Sequence, residues 1–212
     1  MKILKFNNKK DWLSARKGKI TGSRLKNLIV KRGTGKKIGY YELIAERLAI
    51  FNPAYEEAYK NPMERGNILE KEAIARFEAE TNKQVNTDMV IWVRDDNDDI
   101  ALSPDGYMVN EAVEVKCLSS ARHMEAYLTQ EIPDEYIDQV YQYFIVNDVL
   151  DKLYFVFYDP RIPVKDFFVI EVSRIDVDNM VRYYLDYERN ILQEVEQVVS
   201  QLTKVEVSLQ SK

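Results

Sequence analysis

The run Ala-Val-Glu-Val-Lys-Cys-Leu at residues 112–118 constrains this chain more than any other stretch. Side chains alternate across a strand, so Val113, Val115 and Cys117 share one face while Glu114 and Lys116 share the other. The first set is apolar and must meet a core. A carboxylate and an ammonium on the opposite face of a central strand are costly to bury unless they are paired or bound to a metal. The fold must therefore give this strand a core on one side and polar partners on the other.

The rest of the chain supplies helices and further strands around it. A short helix is expected near residues 10–17, and Ser23 is placed to cap a helix running to Val30. Residues 31–37, Lys-Arg-Gly-Thr-Gly-Lys-Lys, read as a basic loop. The loop is not a phosphate-binding P-loop: Val30 stands where the first Gly belongs and Lys37 where Ser or Thr belongs. Helices are expected at 40–49 and from just after Gly66 to about Glu80. Strand-like runs follow at 89–94 and 100–103, then a hairpin of 107–109 and 112–118 turning at Asn110-Glu111. Asp134, behind Pro133, is expected to cap a helix carrying 136–148. Strands at 152–158 and 167–172 are rich in aromatic and β-branched residues. A long amphipathic helix over about 177–202 puts Tyr184, Leu185, Leu192, Val195 and Val199 on one stripe. This order predicts an α/β (α+β) fold with a central mixed sheet flanked by helices.

At 212 residues the chain suits one compact domain or two very small ones, and a single domain of this size buries roughly 70% of its unfolded surface. We divide that single domain into a basic segment 1–40, a core 60–175 and a C-terminal helix 177–202. A single Cys rules out a disulfide framework or a Cys-rich metal centre. A single His argues against His-clustered metal sites, and any Ser-His-Asp triad would have to use His123. Both Cys117 and His123 read as structural. Apolar runs are too short to span a membrane and no secretory signal is evident, so a soluble protein of the host cytoplasm is expected.

Charge is distributed unevenly. Residues 1–40 hold 13 Lys and Arg against one acid, Asp11, and the remainder holds 17 basic and 34 acidic residues. A segment of +12 joined to a body of −17 suggests a polyanion held on one side of the molecule. The plainer alternative is a solvated basic surface that balances acidic helices.

Two carboxylates converge on the predicted hairpin. Asp105, in Ser103-Pro104-Asp105-Gly106, precedes it and can stand beside Glu114. With the backbone carbonyl of Val115 they make an oxygen-rich site suited to Mg²⁺. Such a site can support phosphodiester hydrolysis, with Lys116 orienting water or balancing charge in the transition state. Glu70 lies on the apolar stripe of its helix near Ala73, Ile74 and Phe77, where a buried acid is commonly paired or functional. Glu72 points the opposite way, to solvent.

Taken in order, these residues resemble the lambda-exonuclease (YqaJ-type viral recombinase) family of the PD-(D/E)xK nuclease superfamily. The similar stretches are Trp12-x3-Arg16-x3-Ile20-Thr21-Gly22-Ser23, Arg65-Gly66-x3-Glu70, Ser103-Pro104-Asp105-Gly106, Glu114-Val115-Lys116-Cys117, Tyr136-x2-Gln139 and Tyr158-Asp159-Pro160-Arg161. The resemblance implies a restriction-endonuclease-like core in which Asp105, Glu114 and the Val115 carbonyl hold Mg²⁺, two ions in all, with Mn²⁺ able to substitute. It implies that Lys116 is the catalytic lysine, that Glu70 supports the metal and its waters, and that Gln139 positions the scissile region. Arg16 and Ser23 match residues that hold a 5′-phosphate, and Trp12 matches an aromatic near the DNA end. The basic loop, with Lys31, Arg32, Lys36 and Lys37, would contact DNA.

The activity so implied is a 5′→3′ exodeoxyribonuclease acting on duplex ends, in a phage or prophage recombination system. A homotrimeric ring and a single-strand annealing protein as partner are implied with it. Two departures stand out: Tyr141 occupies the position of a second family Gln, with Gln142 next to it, and the Arg of the basic loop is shifted. Two alternatives remain, a PD-(D/E)xK endonuclease of restriction or repair type and a non-catalytic module that binds DNA ends.

Overall fold

The computed structural model describes residues 10–11, 38–49 and 62–209. Among them the elements run α1 (Ile38–Leu48), α2 (Pro62–Thr81), β1 (Trp92–Arg94), β2 (Asn97–Leu102), β3 (Gly106–Tyr107) and β4 (Glu111–Lys116). They continue with α3 (Ser120–Thr129), a 3₁₀ turn (Asp134–Tyr136), α4 (Ile137–Val146), β5 (Lys152–Tyr158), β6 (Phe167–Ser173) and α5 (Arg174–Leu209). β1 and β2 form a two-stranded antiparallel sheet, and the other four pair in the order β3-β4-β5-β6. This is the mixed α/β architecture expected. β5 runs buried from Leu153 to Phe157, as its aromatic and β-branched composition requires.

Several boundaries differ from those expected. α2 opens at Pro62, before Gly66, because proline suits a first helical position where its missing N–H leaves nothing unsatisfied. β1 begins only at Trp92 and turns at Asp95-Asp96 into a β2 that ends at Leu102. Glu111, expected in the turn of the next hairpin, is the first residue of β4, and the Met108 N–H closes the turn on the Glu111 carbonyl at 2.8 Å. Asp134 does not cap the following helix: it starts a 3₁₀ turn, and α4 proper spans Ile137–Val146. α5 is longer than expected at both ends.

α3 is an element that the hydrophobic pattern does not announce. Ser119 caps it by accepting the Arg122 N–H at 3.4 Å, and Gln130, with φ of 55°, closes it through its N–H to the Ala126 carbonyl. Asn82, also at φ 55°, ends α2 in the same way, its N–H reaching the Glu78 carbonyl at 2.9 Å.

Contacts gather the chain into two units, each built from separated segments. One comprises Met1–Gln84, Val115–Ile132 and Phe155–Ile170, the other Val85–Glu114, Pro133–Tyr154 and Glu171–Lys212. In the first, α1 packs on α3 around Ala45, Met124 and Ile162. Its β5–β6 connection is tied by an ion pair in which the half-buried Arg161 grips both oxygens of the buried Asp159, at 2.6 and 3.0 Å. The same guanidinium reaches the Leu118 carbonyl at 3.0 Å and so fixes the segment that leaves β4.

In the second unit two arginines hold the C-terminal end of α4. Arg94 of β1 takes both oxygens of Asp148 at 2.7 and 2.9 Å, bonds the Ile145 carbonyl and pairs with Asp96 at 2.6 Å. Arg174, the first residue of α5, donates to the carbonyls of Leu150, Phe144 and Asn147 at 2.8, 3.0 and 2.5 Å. Cations at a helix C-terminus satisfy its orphan carbonyls and oppose its dipole.

His123 is fully buried in α3, edge-on to Phe168, with Nε2 2.7 Å from the Lys165 carbonyl. A carbonyl only accepts, so Nε2 carries the proton, and Nδ1 has no hydrogen-bond partner. Burial lowers the pKa of the ring, partly opposed by that carbonyl and by Asp159. The folded state therefore binds this proton less readily than the unfolded state. Stability is full above the unfolded pKa, near 6.5, and declines as pH falls below it. We expect a loss approaching about 1.4 kcal/mol per pH unit at its steepest. Urea unfolding at pH 7.5 to 5.5 tests this: His123→Gln should flatten the difference, and an unchanged pH profile would refute the assignment.

Candidate active site

Glu114 sits in the middle of β4 and is 1% exposed. Val113 and Val115 are buried on the opposite face, as the alternation of the strand demands. Two side chains of α4 meet the carboxylate. The Gln139 amide donates to Oε1 at 2.6 Å and the Tyr143 hydroxyl to Oε2 at 2.5 Å. Gln139 and Tyr143 are four residues apart, hence on one face of the helix.

Tyr143 is fixed in turn. Its ring is completely buried and meets the edge of Trp92 at a centroid distance of 6.1 Å. Burial pushes its hydroxyl far above the ordinary tyrosine range, and the negative charges of Glu114 and Asp105 add to the effect. The hydroxyl therefore stays protonated and acts as a donor. Reading the sequence alone did not single out Tyr143, although its i+4 spacing from Gln139 is the signal that could have found it.

Asp105 reaches the same neighbourhood through the hairpin. β3 and β4 are antiparallel with Gly106 opposite Val113 and Tyr107 opposite Ala112. Asp105 is the bend residue immediately before β3, and its negative charge reaches the Tyr143 hydroxyl. Asp105 also offers its backbone to the Tyr143 hydroxyl. Gly106 is required beside it: a Cβ at this position would run into Val85 Cγ1, so any other residue would displace the hairpin at the aspartate.

The other face of α4 answers the question raised by the two departures. Tyr141 stacks on Tyr184 of α5 at 5.2 Å, and Gln142 hydrogen-bonds Glu188 of α5. Gln142 thus faces the C-terminal helix and not the cleft that Gln139 serves. Half of its carboxylate partner, Glu188 Oε2, is buried without a hydrogen bond, and burial raises the pKa of that group.

Glu70 and Lys116 belong to the first unit. Glu70 is half-buried on α2, one turn before the buried Ala73 and Ile74, which together with Leu69 and Phe77 form the apolar stripe expected. Glu72 is exposed, and accepts the Tyr158 hydroxyl at 3.2 Å. Lys116 is half-buried two positions along β4 from Glu114, its Nζ lying 5.9 Å from the centre of the Phe155 ring. Cys117 is half-buried and forms no disulfide. Trp12, Arg16, Ser23, Lys31, Arg32, Lys36 and Lys37 lie outside the described residues.

The donors suit a hard cation. They are carboxylate and carbonyl oxygens, and each carboxylate oxygen that accepts a protein hydrogen bond retains a second lone pair. Among the described residues no group of three or more His, Cys, Asp or Glu could hold a metal ion.

Comparison with known proteins agrees with this geometry. Residues 11–149 match the YqaJ-like viral recombinase domain. An alkaline exonuclease, LHK-Exo from Laribacter hongkongensis, has a similar structure, with a TM-score of 0.52 and 26% identity over 91% of this chain and 99% of that one. The same enzyme in complex with dAMP gives a TM-score of 0.51 at the same identity and coverage. No curated protein matches the sequence significantly. The sheet and its flanking elements thus reproduce the PD-(D/E)xK fold of that exonuclease, and with more than half its length matched, the chain belongs to the YqaJ-like viral recombinase family.

Proposed function

We propose that this chain is a Mg²⁺-dependent 5′→3′ exodeoxyribonuclease that digests one strand of linear duplex DNA from a 5′-phosphorylated end and leaves a 3′ single-stranded tail for recombination. The observation that carries the reading is Glu114, a fully buried carboxylate held by Gln139 and Tyr143, in a chain of this family. Similarity to LHK-Exo, an alkaline exonuclease that has been crystallised with dAMP, supports mononucleotides as products.

Asp105, Glu114 and the carbonyl of Val115 would hold Mg²⁺, two ions in the full complex, with Mn²⁺ as a substitute. Bound there, the metal supplies charge to polarise a phosphoryl oxygen and to lower the pKa of water. The chain's own residues do the rest. Gln139 and Tyr143 keep the Glu114 carboxylate in one orientation. Lys116, on the Glu114 face of β4, orients the attacking water and balances developing negative charge. Glu70 supports the metal's waters. Arg16 and Ser23 bind the terminal phosphate, Trp12 packs at the DNA end, and Lys31, Arg32, Lys36 and Lys37 hold the backbone. A homotrimeric ring would keep the enzyme on its substrate, and a single-strand annealing protein would receive the tail in the host cytoplasm. Among the described residues no helix is long and apolar enough to cross a membrane.

Nucleotide release from linear duplex tests the chemistry. Asp105→Ala, Glu114→Gln and Lys116→Ala should each lower the rate by about 10²–10³-fold or more, since each removes a charge that acts in the transition state. EDTA should abolish activity and added Mg²⁺ restore it. Glu72→Ala, at an exposed site, is the control. Glu114→Gln retaining more than about a tenth of the rate would overturn the mechanism.

Tyr143→Phe removes a donor to a buried carboxylate without changing the ring. It should cost about 1.5–3 kcal/mol of stability, the usual worth of a hydrogen bond to a charged group. It should also raise the Mg²⁺ concentration needed for half-maximal rate, because Glu114 is then less well oriented. A metal titration coinciding with that of the unaltered protein would exclude this role for Tyr143.

End recognition is tested with 5′-phosphorylated linear, 5′-hydroxyl linear and closed circular duplex. The phosphorylated substrate should be preferred and the circle left intact. Arg16→Ala and Ser23→Ala should erase most of the preference, each removing a contact worth about 1.5–3 kcal/mol. Cutting of the circle would point to an endonuclease, and binding without products to a non-catalytic end-binding module.

A further inference from the structure

β1 lies at the rim of its sheet. It pairs with β2 alone, antiparallel, with Trp92 opposite Leu102 and Val93 opposite Ala101. In such a ladder alternate residues turn their N–H and C=O groups away from the partner strand. Among the described residues no other strand pairs with that outer edge, and no loop or turn makes a backbone hydrogen bond to residues 89–93.

The side chains of this edge depart from the usual pattern. The run Met89-Val90-Ile91-Trp92-Val93 holds no charge and no proline, the devices that blunt an edge strand. Trp92 and Arg94 turn inward, the first onto Tyr143 and the second onto Asp148. Met89, Ile91 and Val93 take the other face, where an antiparallel ribbon normally carries polar residues. Met89 is fully exposed, Ile91 68% and Val93 44% exposed. Beside the edge runs an open cleft of about 360 Å³, lined by Ile91, Trp92 and Val93 from the strand and its approach and by Val146 and Val149 from the end of α4. Val149 is 66% exposed.

Charge frames the apolar run. Asp88 precedes it, Asp95, Asp96, Asp98 and Asp99 follow it, and Asp95 and Asp148 line the cleft. Arg94 pairs with Asp96 and Asp148, and Arg189 with Asp96. Six aspartates against two arginines leave a surplus of four negative charges.

We propose that the outer edge of β1 and the cleft beside it bind an extended peptide segment of another protein, apolar at its centre and cationic at its ends. The segment adds a strand to the ribbon and meets the outward N–H and C=O groups of β1. Its apolar side chains cover Ile91, Val93 and Val149 and enter the cleft against Trp92. Its Lys or Arg residues reach Asp88 at one end and Asp95 at the other. Other occupants fit the surface less well. A nucleic-acid strand would bring phosphates against the surplus of aspartates. A second copy laid along the same edge would set Asp88 and Asp95 against its own acids, whichever way the two strands ran. The proposal does not draw on the nuclease reading.

Fluorescence anisotropy of a labelled peptide, Lys-Lys-Val-Val-Ile-Thr-Val-Lys-Lys, titrated with the full-length protein tests it. Binding should saturate, and the same peptide with Glu in place of every Lys should bind at least about tenfold more weakly. A strand has two edges, so methylating the amide nitrogens of one alternate set of its residues should abolish binding, while methylating the other set should spare it. Ile91→Lys combined with Val93→Lys should also weaken binding at least about tenfold, with the urea midpoint and the rate of nucleotide release unchanged. Absence of saturable binding, equal binding of the Glu peptide, indifference to both methylated sets, or equal binding by the double variant would each overturn the proposal. A sedimentation mass that falls in the double variant would assign the edge to a second copy and overturn it as well.

Discussion

A carboxylate taken out of water dictates the architecture around β4. Glu114 is 1% exposed, and transfer of such a group into a protein interior costs several kcal/mol unless donors replace its hydration. Here α4 supplies them, through Gln139 and Tyr143. The helix must then hold its place and rotation to within a fraction of an ångström, because a hydrogen bond weakens steeply as its geometry degrades. Arg94 and Arg174 meet that requirement from both sides of the α4 terminus, one fixing the acidic β1–β2 turn to Asp148, the other capping the last carbonyls. Trp92 then limits the freedom of Tyr143. Few of these groups touch Glu114, yet each bears on where its oxygens lie.

The division of labour on α4 follows from helical geometry. Residues 139 and 143 share one face, and residue 141 lies some 200° round from 139. The helix can therefore hold a carboxylate with one side and a partner helix with the other. Tyr141 in place of a second glutamine gives α5 an aromatic surface to stack on, and Gln142 gives it a hydrogen bond. Those two contacts tie the first half of α5 to α4.

How far the fold could be read from the residues depends on which element is asked about. β4 and β5 were legible because alternation and β-branched composition leave few other conformations. The start of α2 was misjudged because Gly66 looks like a boundary, whereas the proline four residues earlier is the better first residue. α3 was missed for a definite reason: its fully buried positions include His123, which counts as polar in any pattern, while Leu128 is exposed. Asp105, Glu114 and Gln139 are expected by type and order, and of these Gln139 and Glu114 meet in a hydrogen bond. Tyr143 escaped because a buried tyrosine in a helix reads as core, and its role is visible only in the direction of its hydroxyl. The placement of Glu70 in its helical stripe followed from the 100° rule, while the residues proposed to hold the DNA end lie in the segment outside the description.

Two buried acids in this molecule are treated in opposite ways, and the contrast bears on what each is for. Asp159 is 0% exposed and both its oxygens are gripped by the Arg161 guanidinium. Such a fork occupies the carboxylate edge and balances its charge, which suits a fixed tie between a loop and the chain leaving β4. Glu114 is equally buried but takes hydrogen bonds from an amide and a phenol, neutral groups that orient the oxygens without bringing a positive charge. An amide and a phenol give the carboxylate direction, whereas a guanidinium gives it direction and charge together. A carboxylate meant only to stabilise the sheet would gain more from the arrangement at Asp159. Arginine forks of that kind hold Asp159 and Asp148. The two acids show one fold holding a carboxylate by an arginine fork at the β5–β6 connection and by an amide and a phenol on β4.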